Sequence, residues 1–249
     1  MLISVIIITF NEEENLAETI KSVRSAVNLF PKGFSLVEII VSDGGSTDET
    51  INIAKSLADL IIESPKGRHN QLNFGASVSK GEAFLFLHAD TYLPEDALIR
   101  MIIRLKDPKI LGGGFKKHWN WSDQVKRTSF LKFCCKIWQG VGNLLVGATK
   151  AFPGDNGIFV RKETFDFLGG YKPLWICEDF DFIYRLKKIG KNHITYIQSP
   201  VLTSARRLER YGFFRTIILW TLIFFLWKLG MDPKRLRNLF KKYSIYLRF

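Results

Sequence analysis

His88, Ala89 and Asp90 stand at the end of an apolar segment, and an imidazole and a carboxylate two positions apart are groups that can bind a metal ion. The segment FLFL at 84–87 precedes them directly and has the apolar character of a buried strand. A carboxylate such as Asp90 binds hard divalent cations, and the same cation can hold the phosphate oxygens of a substrate. A turn or helix cap before Pro94 would use the same residue types. The sequence therefore leaves a metal site and an ordinary turn as two interpretations of Asp90.

Glu178 and Asp179 form an adjacent pair of acids at the start of a segment with helical spacing of apolar residues. The aromatic side chains of Trp175, Phe180 and Phe182 stand nearby in the sequence. Such surroundings could raise the pKa of a carboxylate toward the range that a general base needs. Acids in the first turn of a helix also stabilise the helix dipole without any catalytic role. Both interpretations stay open on residue types alone.

Asp43 and Arg68 are further candidates for binding a ligand. Asp43 is followed by Gly44 and Gly45, so an acceptor stands beside backbone that a ligand can approach closely. Arg68, in the segment 66–76, could pair with a phosphate or lie on a solvated helix face. The sequence contains neither G-x-G-x-x-G nor G-x-x-x-x-G-K-[ST]. This disfavours dinucleotide-dependent oxidoreductases and P-loop nucleotidases.

Strand and helix patterns alternate over the first 105 residues. The strands are predicted at 3–10, 36–45, 60–64 and 82–90, and the helices at 11–23, 46–58, 68–80 and 95–105. This alternation predicts an α/β fold with a mostly parallel sheet, in which ligands bind outside the carboxyl ends of the strands. The polar clusters at 9–12, 42–45 and 88–90 all fall at such ends. We also expect Asn11 to cap the first helix.

The pattern changes after Pro94. The glycines at 112–114 predict a break, and an aromatic and basic stretch follows at 115–138. A further helix is predicted over 178–190. The chain has 249 residues, of which 47% are hydrophobic, so it can bury one substantial core.

The basic character of the chain is concentrated near its carboxyl end. The formal net charge is +12, and residues 206–249 carry 11 Lys and Arg against Glu209 and Asp232. This segment also contains TIILWTLIFFLW at 216–227, which is too short for a spanning helix. It could lie in a membrane surface, with Trp220 and Trp227 at headgroup depth, or it could pack against the sheet or a second subunit.

The cysteines and the first residues indicate the cellular compartment that we expect. The three cysteines, two of them adjacent at 134 and 135, have no metal-ligand or disulfide spacing, which favours a reducing interior. MLISVIIITF at 1–10 lacks a basic start and a small-residue cleavage site, so it indicates a buried strand rather than a signal peptide. We therefore expect a cytoplasmic protein, peripheral on the inner face of the cell membrane.

Five segments in order resemble the inverting family 2 glycosyltransferases, which have the nucleotide-sugar-binding GT-A fold. These segments are SVIIITFNEEENLAETIKSV, EIIVSDGGSTDET, GRHNQLNFGASVSKGEAFLFLHADTYLP, GDNGIFVRKETFDFLGGY and EDFDFIYRLKKIG. The resemblance covers residues 2–210. The HADT variant, GDNGIFVRK and SARRLERYG are most similar to a bacterial subfamily labelled transferase 2. The resemblance implies a hexosyltransferase-like enzyme, with a GT-A domain at 1–210 and a C-terminal apolar and basic helical segment at 211–249.

The resemblance also implies roles for particular residues. The nucleotide-sugar site would comprise Thr9, Phe10, Asn11, Glu12, Asp43, Arg68, Ala89, Arg206 and Arg207. Gly154, Asp155 and Asn156 would lie in the acceptor or donor-sugar region. Asp179 matches the family's catalytic base, with Glu178 beside it, and Asp90 matches the last acid of the family's D-x-D metal motif.

The mechanism implied is a single displacement with inversion. Asp179 would accept the proton of the acceptor hydroxyl while a divalent cation, Mn²⁺ or Mg²⁺, stabilises the departing diphosphate. The sequence departs from the family pattern at His88, which replaces the first acid of D-x-D, and an imidazole is a poorer ligand than a carboxylate for Mg²⁺. Arg206 and Arg207 occupy the place where related enzymes have a Q-x-x-R-W segment near the diphosphate, but the Trp of that segment is missing here. The two arginines either contact the diphosphate or form a basic surface patch.

The expected partners follow from these assignments. We expect a UDP-sugar or GDP-sugar donor, a hydroxyl acceptor that is lipid-linked or polyprenyl-linked, and a membrane surface; a homo-oligomer is an alternative use of the apolar tail. We expect no nucleic acid, because the basic tail lacks a recognised reading motif. Two other functions are compatible with the sequence: a sugar-phosphate nucleotidyltransferase, and a non-catalytic nucleotide-binding or lipid-surface scaffold.

Overall fold

The computed structural model describes residues 1–30, 37–122 and 128–243. Its eight strands are β1 Ile3–Thr9, β2 Val37–Asp43, β3 Leu60–Glu63, β4 Ala83–His88, β5 Thr91–Tyr92, β6 Gly112–Asn120, β7 Ile158–Arg161 and β8 Ile194–Ser204. The helices within these residues are α1 Leu16–Asn28, α2 Thr50–Leu57, α3 Arg68–Ser77, α4 Ala97–Leu105, α5 Ser129–Thr149, α6 Lys162–Phe167, α7 Glu178–Ile189, α8 Arg206–Tyr211, α9 Phe213–Lys228 and α10 Pro233–Tyr243.

The strands form one sheet in the order β3-β2-β1-β4-β7-β6-β8-β5. The first four strands of this order run parallel, and β7 then pairs antiparallel with both β4 and β6. β1 has no exposed position, since helices cover the sheet on both faces, and this explains its unbroken apolar and β-branched sequence. The expected α/β fold with a mostly parallel sheet is therefore the observed one.

Two apolar clusters hold the helices against the sheet. On one face, the odd-numbered side chains of β1 pack with α1 and α4, around Leu16, Ile20 and Leu98. On the other face, a second cluster contains Ile6 and Phe182 and joins α3, α6 and α7 to the sheet. Because successive side chains of a strand alternate between the faces, β1 serves both clusters.

The glycines at 112–114 begin β6, so the break predicted there is wrong. A Cβ on Gly113 would lie 2.2 Å from the carbonyl oxygen of Thr195, and one on Gly112 would lie 2.5 Å from that of Phe159. The glycines therefore allow close approach of neighbouring strands rather than ending an element. The aromatic and basic stretch at 115–138 divides between β6 and α5, with 123–127 outside the described residues.

The helix expected from Asn11 begins later, at Leu16, and Asn11 is not its cap. Asn11 has a left-handed backbone, with φ of 53°, and its side-chain oxygen accepts a hydrogen bond of 2.8 Å from the backbone N–H of Thr47. It therefore joins the loop after β1 to the loop after β2. The helix predicted at 178–190 is confirmed as α7.

The C-terminal helices pack against the start of α7. Residues at the interface form an apolar cluster around Ile176, Ile223 and Leu236. The rings of Trp220 and Trp227, for which the sequence left headgroup depth and packing within the protein both open, face this cluster: the ring centre of Trp220 lies 5.1 Å from that of Phe240. None of the helices in the described ranges is both long enough and apolar enough to cross a bilayer. Residues 244–249 of the predicted tail lie outside the described part of the chain.

Candidate active site

A cleft of about 1390 Å³ opens at the carboxyl ends of β1 and β4. Thr9 and His88 end these two neighbouring strands, and Asp43 ends β2 on the other side of β1. Thirteen of the residues that sequence reasoning selected line the cleft: Thr9, Phe10, Asn11, Glu12, Arg68, His88, Ala89, Asp90, Gly154, Asp155, Asp179, Arg206 and Arg207. The other three, Asp43, Glu178 and Asn156, are buried behind its wall. Most of the predicted site thus comes together in space.

Asp43 supports the loop after β2 instead of facing the cleft. Its Oδ1 accepts a hydrogen bond of 2.9 Å from Thr9 Oγ1, and its Oδ2 accepts bonds from the N–H groups of Gly45 and Ser46 at 2.8 and 2.7 Å. Charge-assisted bonds to backbone N–H groups are strong, so they fix the loop. We infer that Asp43 shapes the edge of the pocket from beneath rather than contacting a ligand directly.

Arg206 connects two acids that enter the cleft from different elements. It forms a bidentate pair with the carboxylate of Glu12, and its Nη2 lies 3.2 Å from Asp90 Oδ2. The planar guanidinium suits such forked contacts. Asp90 belongs to the β4–β5 connection, whereas Glu12 follows β1, so one cation fixes their separation. The carboxylate of Asp90 is 14% exposed and faces the cleft.

His88 is an uncharged imidazole at neutral pH. Burial, with a contribution from Arg68, lowers its pKa to about 4. A neutral ring nitrogen can accept a hydrogen bond or bind a metal ion. The Nε2 atom of His88 points toward Gly154, where an added Cβ would lie only 2.9 Å away.

Asp179 also lines the cleft, close to Gly154 and His88. Burial, and next the charge of Glu178, raises its pKa to about 7. Its Oδ2 accepts a hydrogen bond of 2.5 Å from the backbone N–H of Gly154. A Cβ on Gly154 would lie 3.2 Å from Asp179 Oδ2, so glycine permits this close contact. The arrangement fits a general base, which works best when its pKa is near the operating pH.

Glu178 places a second negative charge beside that base. Its side chain is 2% exposed, and its Oε1 lies 3.4 Å from Arg68 Nη1. Within the described residues its Oε2 has no hydrogen-bond partner. Cys177, directly before it, has a left-handed backbone with φ of 63°, a conformation that costs free energy in a non-glycine residue. Asp179 lines the cleft, whereas Glu178 is buried and does not line it.

Asp155 and Lys117 form an ion pair on the wall next to Gly154. Lys117 Nζ donates to Asp155 Oδ2 at 2.7 Å, and Lys117 together with His88 and Arg207 outweighs the effect of burial, so the pKa of Asp155 is lowered. In the part of the chain that the structure describes, Asp155 Oδ1 is buried and accepts no hydrogen bond. Asn156 donates to the carbonyl oxygen of Phe115 at 2.6 Å, which holds this turn against β6.

Sequence reasoning did not select several lining residues. Lys66 Nζ lies 3.7 Å from the centre of the Phe10 ring, and Arg237 lies 3.9 Å from that of Trp175. Residues of α9 and α10, Trp220, Phe224, Phe240 and Lys241, extend the same wall. The proximity of Trp175 to the acidic pair was visible in the sequence, but the approach of α10, some 60 residues later in the chain, carried no local signal.

Burial also affects Arg207, the second arginine of α8. Burial, and next Arg68, lowers the pKa of Arg207 to about 10, which leaves it charged at neutral pH. Arg206, Arg207 and Arg68 all line the cleft. Guanidinium groups can form forked hydrogen bonds to phosphate oxygens, so these side chains could contact a diphosphate.

The family model described as Glycosyl transferase family 2 matches residues 4–170, so the chain belongs to that family. The solved structures to which it is similar have the GT-A fold, which confirms the expected fold. A mannosyltransferase from Pyrobaculum calidifontis, in complex with GDP-Man and Mn²⁺, has a TM-score of 0.63 at 22% identity, over 97% of this chain and 68% of that one.

Two further comparisons are informative. TarS of S. aureus, in complex with UDP-GlcNAc, has a TM-score of 0.61 at 18% identity, over 82% of this chain and 58% of that chain. An undecaprenyl-phosphate 4-deoxy-4-formamido-L-arabinose transferase of Enterobacter is 25% identical over 167 residues, which are 64% of this chain and 47% of that protein. The chain thus spans about half the length of this curated relative.

A divalent cation fits the residues on the donor side. No cluster of three or more His, Cys, Asp or Glu residues converges on one point in the described ranges. Asp90 and the neutral His88 nevertheless offer one carboxylate and one imidazole, facing a cleft. Mg²⁺ and similar ions often take one or two protein ligands and complete their shell with substrate phosphates and water. The protein residues therefore suit a cation that arrives with a diphosphate.

Proposed function

We propose that this protein transfers a sugar from a nucleoside-diphosphate sugar to a hydroxyl acceptor, with inversion at the anomeric carbon. The single observation that carries the proposal is Asp179, a carboxylate with a raised pKa, placed in one cleft with three arginines and Asp90. A base on one side and a diphosphate-binding group on the other are the two parts that a single displacement needs.

Asp179 would act as the general base. It would accept the proton of the acceptor hydroxyl as the acceptor oxygen forms its bond to the anomeric carbon. The bond from that carbon to the diphosphate oxygen breaks in the same step, and the nucleoside diphosphate leaves with the electron pair. The hydrogen bond from the Gly154 N–H holds Oδ2 in place, and Glu178 keeps the pKa of Asp179 high.

The donor would bind along the ends of β1 and β4. We propose that Thr9, Phe10, Asn11 and Glu12, with Ala89, border the base and ribose, and that Arg68, Arg206 and Arg207 contact the diphosphate. Asp90 and His88 would hold Mn²⁺ or Mg²⁺, which supplies positive charge to the leaving group when bound. The mannosyltransferase complex contains GDP-Man and Mn²⁺, and the TarS complex contains UDP-GlcNAc; these support a GDP-sugar or UDP-sugar donor.

The turn at Gly154, Asp155 and Asn156 would contact the donor sugar or the acceptor. Asp155 Oδ1 is an acceptor of hydrogen bonds that is buried at the cleft wall, and sugar hydroxyls are donors. A carboxylate held by Lys117 stays ionised and keeps its orientation. Asp155 would therefore bind a hydroxyl close to the anomeric carbon.

The acceptor would be lipid-linked or polyprenyl-linked. The wall beyond Asp179 is formed by apolar and aromatic side chains of α9 and α10 with basic residues among them, namely Phe224, Trp220, Phe240, Arg237 and Lys241. Such a surface suits an apolar chain next to a negative group. The name of the undecaprenyl-phosphate transferase supports this class. Residues 1–210 would then form the transferase domain and 211–249 its appendage, at the cytoplasmic face of the cell membrane.

The experiment combines donor and acceptor screens. Purified protein with MnCl₂ or MgCl₂ is incubated with UDP-, GDP- and dTDP-sugars and a bacterial lipid extract, and mass spectrometry detects a glycosylated product. NMR of that product gives the anomeric configuration. Transfer that is lost in Asp90→Ala and Asp179→Ala supports the proposal. Failure to bind or hydrolyse any donor, or full activity of both variants, would overturn it.

The same assay separates the two other functions. A sugar-phosphate nucleotidyltransferase would release pyrophosphate from a nucleoside triphosphate and a sugar phosphate. A non-catalytic scaffold would bind nucleotide without transfer to any acceptor. The raised pKa of Asp179 favours a catalytic role over the scaffold, because a merely structural acid is more often ion-paired with a lowered pKa.

A further inference from the structure

Helix α5 is attached to the sheet by its polar side. Asn143 accepts a hydrogen bond of 3.1 Å from the N–H of Lys117 and donates one of 2.9 Å to the carbonyl oxygen of Lys117. Gln139, one turn earlier, accepts a bond of 2.9 Å from the N–H of Trp119. β6 pairs with β7 only through the first two residues of β6, Gly112 and Gly113. The side-chain amides of Gln139 and Asn143 therefore satisfy backbone groups farther along β6.

The opposite side of α5 is apolar and exposed. The exposed apolar side chains are Phe130, Phe133, Ile137, Trp138, Val141, Leu144 and Leu145. They recur at intervals of three and four residues and therefore share one face of the helix. Leu144 is 72% exposed and Phe130 is 68% exposed, whereas Cys135 alone is buried among the described residues of α5. A helix on a water-facing surface normally has the reverse orientation, with its apolar face toward the core.

A second apolar stripe lies on α9. Phe214, Ile218, Leu222, Phe225 and, just past the helix, Leu229 are exposed at similar spacing. The two helices meet in a shared buried cluster that contains Cys135 of α5 and Phe213 of α9. Trp138 of α5 and Phe224 of α9 both line the cleft. Both helices therefore border the same cleft, α5 through Trp138 of its stripe and α9 through a side chain outside its stripe.

All the charged side chains of α5, α9 and α10 are basic. α5 contains Lys132 and Lys136 and no acid, and α9 contains Arg215 and Lys228 and no acid. α10 adds five basic residues without an acid. A two-fold contact between copies of this surface would bring like charges together, which is unfavourable. Anionic lipid headgroups, by contrast, complement both the apolar stripes and the basic residues.

We propose that the outward faces of α5 and α9 form a bilayer-binding surface that holds the mouth of the cleft against an anionic membrane. Each helix lies in the interface with its apolar stripe at the boundary between headgroups and acyl chains. The surface itself is independent of the proposed function. Its consequence, that a lipid-linked acceptor reaches Asp179 without leaving the membrane, rests on that proposed function.

Vesicle binding tests the proposal without any sugar donor. The full chain is sedimented with phosphatidylcholine vesicles and with vesicles that also contain phosphatidylglycerol. We compare the wild type with Phe133→Gln/Leu144→Gln on α5 and Ile218→Gln/Phe225→Gln on α9. The matched control is Ile103→Gln/Phe167→Gln, which changes two exposed apolar residues elsewhere, at 58% and 79% exposure. Circular dichroism melting shows whether each variant is folded.

The proposal requires binding to the anionic vesicles that weakens as salt is added. The α5 variant and the α9 variant should each bind about tenfold more weakly, because two large apolar side chains no longer enter the bilayer. The control should bind like the wild type. Equal binding by all folded variants, or no binding by the wild type, would overturn it. If the wild type formed a stable dimer and bound no vesicles, and the α5 and α9 variants abolished the dimer, the surface would instead be assigned to a second copy of the chain.

Discussion

The proposed donor side of the cleft, around Arg206, and the proposed base side, around Asp179, differ in how their charges are compensated. On the donor side, Arg206 pairs with both Glu12 and Asp90, so opposite charges meet directly. On the base side, Glu178 and Asp179 are adjacent acids, and the nearest cation, Arg68, lies 3.4 Å from Glu178. The ion pairs of Arg206 hold Glu12 and Asp90 in place. The adjacent acids Glu178 and Asp179, by contrast, repel each other when both are ionised.

This difference explains why the two sides suit different tasks. An ion pair between opposite charges fixes the carboxylates in place, which suits groups that must position a charged ligand. Two adjacent acids in a buried position favour the protonated form of one of them, so its proton affinity near neutral pH is high. We infer that the base side contributes reactivity and the donor side contributes placement.

The largest effect should come from Asp179→Asn, which removes the base and leaves the shape of the side chain. General-base catalysis contributes about 10²–10⁴ in rate, so kcat should fall by about that factor. The measurement is steady-state transfer with saturating donor. The control is Asp166→Asn, an exposed acid of α6 that should retain full activity. Loss of activity in both variants would show that the change in Asp179 is not specific.

A somewhat smaller effect is expected for Gly154→Ala. The added Cβ would meet His88 Nε2 at 2.9 Å and Asp179 Oδ2 at 3.2 Å, so the base must shift. A misplacement of about 1 Å can cost about 10² in rate, and kcat should fall by about that factor. The control is Gly142→Ala, because a Cβ on Gly142 would have no neighbour within 4 Å. An unchanged kcat in Gly154→Ala would mean that the hydrogen bond to Asp179 does not position the base.

Arg206→Met should weaken donor binding more than it slows chemistry. The substitution leaves Glu12 and Asp90 without their shared cation and removes a contact proposed for the diphosphate. KM for the nucleotide sugar should rise about tenfold, equivalent to about 1.4 kcal/mol, with a smaller change in kcat. The control is Arg100→Met, which breaks an exposed pair within α4. A fall in kcat alone would assign Arg206 to the base side of the comparison.

The smallest effect concerns pH and Glu178→Gln. Asp179 is active when deprotonated, and its pKa of about 7 predicts that kcat falls as pH drops below 7. Removing the charge of Glu178 lowers the pKa of Asp179, so the profile should move to lower pH. At neutral pH the rate should change by less than about tenfold, since only the ionised fraction changes. A profile that does not move would show that burial alone sets the pKa.

The sequence predicted the sheet and most of the cleft because both follow from local patterns. Alternating strand and helix periodicity placed Thr9, Asp43 and His88 at strand ends, and parallel strands bring such ends to one edge. The glycines at 112–114 misled the prediction, since a glycine that ends an element and one that allows strands to approach look alike in sequence. Only the neighbouring carbonyl of Thr195 distinguishes them.

The buried positions of Asp43 and Glu178 could not be predicted either. Their spacing indicates polar groups at strand and helix ends, but it does not show which acid of an adjacent pair enters the cleft, because that depends on how the helix packs. The orientation of α5 is a further case: its apolar stripe is visible in the sequence, and we would expect such a stripe to face a core. Gln139 and Asn143 accept hydrogen bonds from backbone N–H groups of β6, and Asn143 also donates one to it, which holds the helix in the opposite orientation.

The α/β fold, the family and most of the residues around the cleft could be predicted from the sequence alone. Periodicity and the order of motifs are properties of residues that are neighbours along the chain. Three features became clear from the tertiary structure alone: Arg206 joins Glu12 to Asp90, α10 extends one wall of the cleft, and the apolar face of α5 points outward. These contacts join residues far apart in the chain, and their geometry depends on how whole elements pack.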